Sequence, residues 1–295
     1  MIPNSHHAAH RLLGGACLVL FFVLLGAECR SEVPSGEASS TEASTSVQED
    51  SPVVPIVDVG EGQLFGASRG DKWMPADRAA EHVAAGQRYR LVGLTDTLGT
   101  RTGSAPTPAR ETCDNPTVRI DPRPPAGRDV IAVGGSWNPL PRVPRVQDTT
   151  QTVYKAAVAE HLRRQGLEID DAAVTLDQVL RVDLDGEGTM DVLLVSHRAR
   201  GSATSAQAND YGLVLLRTLV DGEVRQRTLE VEYYQEACLG DCAPSTFRVA
   251  AVLDANGDGT MEVVTATSYF EGRGKRVHAV DDGEPERVLS WRCGV

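Results

Sequence analysis

Two short acidic segments in the C-terminal half of the chain carry oxygen-bearing side chains at every second position. The first runs from residue 182 as VDLDGEGTMD, and the second runs from residue 253 as LDANGDGTME. Calcium prefers six to eight hard oxygen ligands, which a tightly curled loop can supply from alternate positions. The predicted ligands are Asp183, Asp185, Glu187, Thr189 and Asp191 in the first segment, and Asp254, Asn256, Asp258, Thr260 and Glu262 in the second.

Each position in these segments has a predicted task. Side chains at positions 1, 3, 5 and 9 would supply oxygens, and the threonine at position 7 would supply its backbone carbonyl. Gly188 and Gly259 stand at position 6, where they permit a sharp turn that a Cβ would obstruct. The alternative is a pair of acidic turns that bind nothing, but incidental turns have no reason to keep the ligand spacing twice. We therefore expect calcium in both loops, in a structural role.

Both segments stand between stretches that are typical of β-strands. Apolar residues alternate through 247–253 and 261–267, which predicts strands with one buried face. Each unit then continues into a hairpin whose turn residues are Asp221-Gly222 in the first unit and Asp282-Gly283 in the second. Each unit is therefore predicted as strand, acidic loop, strand, excursion, strand, Asp-Gly turn and strand.

The acidic loops differ from EF-hands, because position 12 holds Leu194 and Thr265 where an EF-hand has a bidentate acid. Loops of this kind between β-strands resemble the FG-GAP/VCBS-type calcium-binding repeats of extracellular proteins, over roughly residues 176–291. The whole layout is similar to bacterial lipoproteins in which such repeats follow a small N-terminal region. The resemblance implies propeller-like blades and a part in adhesion or binding. Two departures are that two units cannot close a propeller, and that Glu187 stands where Asp or Asn is usual.

The predicted fold class is α+β and mainly β, with two propeller-blade-like antiparallel units, an N-terminal strand-rich region and one or two helices. Strands are predicted over 87–94, 117–120 and 129–135, and a short helix over 75–86. The Pro-rich segment 138–146 is predicted to be an extended connector.

A second helix is predicted from a cap at Thr149 or Thr150 to a stop at Gly166. Its apolar stripe consists of Tyr154, Val158 and Leu162. His161 lies beside this stripe, and we interpret it as a packing or solvated histidine rather than a catalytic one.

Other motifs give weaker indications of chemistry. Residues 66–70 fit Gly-x-Ser-x-Gly around Ser68, but a nucleophile elbow needs a helix directly after it, and residues 71–73 are Asp-Lys-Trp. The sequence Gly-Gly-Ser at 134–136 lacks the lysine of a phosphate loop. The histidines are far apart in the sequence: His82, His197 and His278. We therefore predict no catalytic residue and no organic cofactor.

Four aromatic residues follow repeat strands: Tyr233, Tyr234, Tyr269 and Phe270. They could form a ligand platform, since aromatic side chains offer large rigid contact faces. Half-buried strand residues are the favoured interpretation.

The N-terminus is typical of an export signal. Arg11 precedes an uncharged apolar run at 12–27, which is too short for a membrane span, and Ala27 offers a cleavage point. We favour lipidation of Cys29 and an envelope location, although Glu28 departs from the lipobox pattern; free secretion and an uncleaved anchor are the alternatives. The predicted domains are a signal peptide at 1–29, a disordered acidic Ser/Thr linker at 30–51, a β-rich region at 52–146, and a helix with two calcium-loop repeats at 147–295.

Cysteine content agrees with export. Four cysteines follow Cys29, and an even number in an oxidising compartment favours two disulfides. The residues Cys113, Cys238, Cys242 and Cys293 allow three connectivities, of which a Cys238–Cys242 bridge is the easiest to close. A metal cluster is the weaker alternative, because no other pair has zinc spacing.

The net charge of −12 disfavours nucleic acid as a partner, because an acidic surface repels phosphates. The leading prediction is a monomeric cell-surface binding or adhesion module with a protein or polysaccharide ligand. Its contact with a membrane would run only through the N-terminal anchor. The alternatives are an extracytoplasmic hydrolase with its site in 52–146, and a purely structural envelope lipoprotein.

Overall fold

A computed structural model describes residues 51–124, 127–240, 242 and 244–294. The predicted signal peptide and the predicted linker up to residue 50 lie outside these residues. Within the described ranges, strands dominate and two α-helices are present, which confirms an α+β, mainly β fold. In the same ranges, no helix is long and apolar enough to cross a bilayer.

The N-terminal region forms a seven-stranded antiparallel sheet with one short helix. Its elements are β1 (Val54–Asp58), β2 (Leu64–Arg69), β3 (Lys72–Pro75), α1 (Ala76–Ala80), β4 (Arg88–Val92), β5 (Thr97–Gly103), β6 (Ile120–Asp121) and β7 (Ile131–Val133). The strand order is β3-β2-β1-β7-β4-β5-β6. Successive side chains of a strand point to opposite faces, so Ile56 joins the core shared with the repeats while Val57 joins the core under α1.

Two sequence predictions in this region need correction. The helix predicted over 75–86 is only the five-residue α1, and turns follow it up to Gly86, whose φ is +82°. The strand predicted over 117–120 is reduced to β6, because Thr117 makes only isolated bridges to Gln63 and Thr107. The strands predicted over 87–94 and 129–135 are confirmed as β4 and β7.

The next part of the chain contains the long helix and the first repeat. Its elements are β8 (Arg145–Val146), α2 (Thr152–Arg164), a 3₁₀ turn (Asp171–Ala173), β9 (Leu176–Val182), β10 (Asp191–Arg198), β11 (Ser205–Ala206), β12 (Asp210–Val220), β13 (Glu223–Tyr234) and β14 (Cys238–Leu239). The main sheet has the order β13-β12-β10-β9-β8, and β11 pairs with β14 separately.

Helix α2 confirms the predicted stripe but not the predicted cap. Val158 and Leu162 are fully buried, and Tyr154 packs against the same cluster. The N-cap residue is Gln151, which makes no side-chain cap bond, and Thr150 instead donates its amide to the Asp148 carboxylate at 2.8 Å. His161 is buried and lies 2.6 Å from the Tyr233 hydroxyl, in agreement with the predicted packing role.

The second repeat is a four-stranded antiparallel meander, as is the β9-β10-β12-β13 part of the first. Its strands are β15 (Thr246–Leu253), β16 (Glu262–Tyr269), β17 (Gly272–Asp281) and β18 (Glu284–Gly294). Both Asp-Gly turns are confirmed, and the positive φ values of Asp221 and Asp282 (+55° and +48°) are typical of a type I′ hairpin.

Strand β15 of the second repeat is more deeply buried than its alternating apolar residues predicted. Residues 249–253 are all buried, although β15 was expected to have one solvated face. They belong to one hydrophobic cluster with strands of the N-terminal sheet and of the first repeat. Both faces of β15 are therefore covered, because the second repeat packs on the rest of the described chain.

Two disulfides join the four cysteines as Cys113–Cys293 and Cys238–Cys242. The prediction of two disulfides is confirmed, and the pairing indicates an oxidising, extracytoplasmic environment. Cys113 also forms an isolated backbone bridge with Cys293, so the first bond fastens a loop of the N-terminal region to the last strand.

Candidate metal centres

The two acidic loops occupy equivalent places in the two repeats. Residues 183–190 connect the antiparallel strands β9 and β10, and residues 254–261 connect β15 and β16. The last predicted ligand of each loop is the first residue of the following strand, where Asp191 lies opposite Val182 and Glu262 lies opposite Leu253. Strand pairing thus fixes both ends of each loop at a constant separation.

The aspartate at position 1 organises each loop. Asp183 accepts a hydrogen bond from the amide of Gly186 at 2.8 Å and another from Gly188 at 3.1 Å. Asp254 accepts the same two bonds from the glycines of its own loop, at 2.6 and 3.1 Å. These glycines have φ near +90° in both loops, a conformation that L side chains rarely adopt. The repeated sequence therefore folds into a repeated local geometry.

The acid at position 9 is buried in both loops and bonds back to position 2. Asp191 accepts from the Leu184 amide at 3.0 Å, and Glu262 accepts from the Ala255 amide at 2.7 Å. Burial raises the pKa of Asp191 to about 6, and the carboxylates of the same loop add to the rise. Burial likewise raises the pKa of Glu262 to about 8. A buried carboxylate of this kind is a group that a bound cation would stabilise in its charged form.

The remaining predicted ligands lie at the loop surface. Asp185, Glu187 and Thr189 are exposed in the first loop, and Asp258 is exposed in the second. Position 3 accepts the amide of position 5 in both loops: Asp185 from Glu187 at 3.0 Å, and Asn256 from Asp258 at 3.1 Å. In the second loop, Asp258 also accepts from Thr260 at 2.7 Å.

These side chains cap backbone amides rather than converge on one point. Within the described ranges, no three His, Cys, Asp or Glu side chains gather closely enough to hold a metal ion. The backbone curl is preformed, but the exposed carboxylates would have to turn inward to complete a shell. The donor set itself fits calcium, because it consists of carboxylate, amide and carbonyl oxygens and contains no soft ligand.

The fold brings the two loops side by side, which the sequence did not indicate. The Met261 amide of the second loop donates to the Leu184 carbonyl of the first at 2.8 Å. The Arg142 guanidinium donates to the carbonyls of Asp183 at 2.5 Å, Leu184 at 2.8 Å and Gly259 at 2.6 Å. One cationic side chain therefore binds the backbones of both loops.

Arg142 belongs to the segment 138–146, which was predicted only as an extended connector. Next to it, the Trp137 indole donates to the Asp254 carbonyl at 2.9 Å, and the Asp254 amide donates to the Pro139 carbonyl at 2.9 Å. A Cβ on Gly257 would lie 2.9 Å from the Trp137 ring. The tryptophan beside the connector is the sequence feature that could have indicated this packing role, because tryptophan is seldom left fully exposed.

Of the weaker motifs, Ser68, His197 and His278 lie in different surroundings in the described part of the chain. Ser68 is fully buried in β2, which turns directly into β3 rather than into a helix. His278 is buried beside Glu230, and His197 pairs with the Asp177 carboxylate at 2.6 Å. Tyr233 packs against the buried cluster that contains α2, whereas Tyr269 and Phe270 line a cleft, so Tyr233 shares no platform with these two residues.

Comparison with known proteins finds no matching family model, no matching curated protein and no matching solved structure. The resemblance to FG-GAP/VCBS-type repeats therefore stays a prediction that rests on the loops themselves.

The substitution Glu262→Gln is expected to stabilise the calcium-free protein at alkaline pH. The pKa of Glu262 rises from its ordinary 4.5 to about 8 on folding. The stability that its protonated form contributes is complete below its ordinary pKa and is lost as pH rises through about 8. Glutamine keeps the acceptor for the Ala255 amide without the charge, so at about pH 9 the gain should be on the order of 2–4 kcal/mol.

Thermal melts across this pH range, with chelator and with calcium, check the prediction. In calcium the order is expected to reverse, because the variant lacks a charged group that is predicted to bind the ion in the second loop. If the melting temperatures of the wild type and the variant in chelator changed with pH in the same way, the raised pKa of Glu262 would be contradicted.

Proposed function

We propose that the protein is an exported, calcium-stabilised β-repeat protein that acts as a binding or adhesion module at the cell surface. The proposal is supported above all by the hydrogen-bond pattern that the two loops share, in which Asp183 and Asp254 cap the same pair of glycine amides. Two loops with one ligand spacing and one backbone curl are better explained by a common ion than by chance.

Calcium would act structurally in this proposal. Each ion would offset the repulsion among clustered carboxylates and stabilise the charged forms of the buried Asp191 and Glu262. Extracellular calcium is abundant, so sites with dissociation constants of roughly 10⁻⁴–10⁻³ M would be filled. The folded module would then present its surface to a protein or polysaccharide ligand.

The disulfides support a location outside the cytoplasm. In this proposal the protein is either anchored through a lipidated Cys29 or released as a secreted form. It is a monomer and does not bind nucleic acid. The acidic net charge of −12 favours cations over phosphate backbones.

The test is calcium binding by the full-length protein, produced under oxidising conditions. Calorimetry should give two sites per chain, and the melting temperature should rise in millimolar calcium relative to chelator. For two such sites the expected stabilisation is about 3–5 kcal/mol at calcium concentrations well above the dissociation constants. Magnesium is the control ion, because it dehydrates reluctantly and should stabilise less. No heat of binding and an unchanged melting temperature would reject the proposal.

A further inference from the structure

A cleft of about 470 Å³ lies between the two repeats, away from the calcium loops. One wall is the C-terminal half of β13, and the other comes from β15 to β18 of the second repeat. The volume falls in the range of small-molecule sites, which is roughly 300–1,000 Å³. The cleft is therefore large enough for a ligand and is not part of the metal centres.

Three aromatic side chains line this cleft: Phe247, Tyr269 and Phe270. Phe270 stands at the turn between β16 and β17 with 60% of its surface exposed. Aromatics make up only 5% of this chain, so three at one cleft is a local concentration. Exposed aromatic faces beside a cleft are available for stacking, because the face of the ring carries partial negative charge.

The floor of the cleft is a fixed set of polar groups. The buried Glu230 accepts from Arg276 at 2.7 Å and from Thr265 at 2.6 Å, and His278 lies 3.1 Å away. Burial opposes ionisation of Glu230, but the bonds from His278 and Thr265 and the charge of Arg276 outweigh it and lower its pKa. Arg276 also donates to Thr267 at 3.1 Å, which holds its guanidinium in place.

A second fixed carboxylate lies on the β13 wall. Glu232 accepts from the Tyr234 hydroxyl and from the Ser245 amide, both at 2.6 Å. Carboxylate oxygens have more than two acceptor positions, so these bonds leave capacity for hydroxyl donors of a ligand. The exposed Glu271 and Arg292 also line the cleft. Its three carboxylates against two guanidinium groups leave only a small negative charge.

These features restrict the chemistry of the ligand. A cleft without a positive excess does not favour a phosphate or another polyanion. The combination of aromatic faces with anchored carboxylate and guanidinium groups suits a molecule that has an apolar C–H face and a rim of hydroxyls. A pyranose ring has both, since its axial hydrogens can lie on an aromatic face while its hydroxyls donate and accept.

We propose that the cleft between the two repeats binds a neutral saccharide of about one or two rings, stacked on Phe270 and hydrogen-bonded to Glu232 and Arg276. This inference rests on the proposed binding function and names the class of ligand.

The experiment is saturation-transfer NMR on the full-length protein with millimolar methyl glycosides of glucose, galactose and mannose, and with N-acetylglucosamine. Glucuronate and methyl phosphate serve as charged probes, because both carry C–H hydrogens that can receive saturation. The variants are Phe270→Ala, Phe270→Tyr, and Val153→Ala as a control on α2, whose side chain is as exposed as that of Phe270. We expect transfer to at least one neutral sugar, weakened about tenfold or more in Phe270→Ala but retained in Phe270→Tyr and Val153→Ala.

Three outcomes would overturn the inference: no transfer to any neutral sugar, transfer only to the charged probes, or unchanged binding by Phe270→Ala. Melting the same samples with calcium and with chelator separates the two proposals. A calcium response without sugar binding rejects only the ligand class, whereas absence of a calcium response rejects the proposed function.

Discussion

Replacing Asp183 and Asp254 together by alanine is expected to abolish the calcium-dependent rise in melting temperature. Each aspartate accepts two loop amides and is also a predicted ligand, so its loss removes a donor oxygen and loosens the curl that presents the others. The double variant should lose the whole calcium contribution, about 3–5 kcal/mol at saturation. It should also be less stable than wild type in chelator by about 1–3 kcal/mol, because four amides lose their acceptors.

The matched control is Glu81→Ala with Glu168→Ala, which removes the same charge from exposed positions outside the loops. This control should keep the full calcium response. The single variants carry further information, because the Leu184–Met261 bond and Arg142 connect the loops. We expect the sum of the two single losses to differ from the double loss. A double variant that still responds to calcium like the control would disprove the assignment of the loops.

Removing the Cys113–Cys293 disulfide is expected to cost roughly 3–5 kcal/mol of unfolding free energy. The bond closes a loop with a sequence separation of 180, so it restricts the unfolded chain strongly. It also reinforces a junction between the N-terminal region and β18, where Asn115 donates to the Leu64 carbonyl at 2.7 Å and to the Ser290 carbonyl at 2.9 Å. The variant Cys113→Ser with Cys293→Ser should melt lower by roughly 6–20 °C.

The matched control is Cys238→Ser with Cys242→Ser. That bond spans a separation of only 4, so its loss should cost less than about 2 kcal/mol. Urea unfolding of both variants beside wild type measures the difference. Equal costs for the two bonds would show that native-state contacts, rather than the length of the closed loop, determine their contribution.

The acidic loops and the Cys113–Cys293 disulfide lie at different junctions of the fold. The two acidic loops lie between strands of the two repeats, and Arg142 joins their backbones from a segment outside both repeats. The disulfide acts at the opposite connection, where the N-terminal region meets the last strand. Calcium and the disulfide should therefore stabilise different junctions, and the effects of removing them should be close to additive.

Local patterns in the sequence determined the strands, the loops and the hairpin turns. A few neighbouring residues decide whether a segment forms a strand, a tight glycine-bearing loop or a type I′ turn. The loops that begin at Asp183 and Asp254 and the turns at Asp221 and Asp282 could therefore be predicted from spacing alone. The even cysteine count likewise predicted two disulfides. The prediction made the short helix after Pro75 too long, because the C-terminal end of this helix depends on how it packs against the sheet.

Only the tertiary structure decided how these parts meet. The alternating sequence predicted that β15 has one buried and one solvated face, but both of its faces are buried. The second face is covered by residues far away in the chain, which the local sequence does not reveal. The contact of Arg142 with both loops joins residues separated by up to 117 positions. The cleft beside Phe270 likewise exists only where β13 faces the second repeat. Local conformation follows from adjacent residues, whereas burial and shared sites depend on long-range packing, which a single sequence does not display.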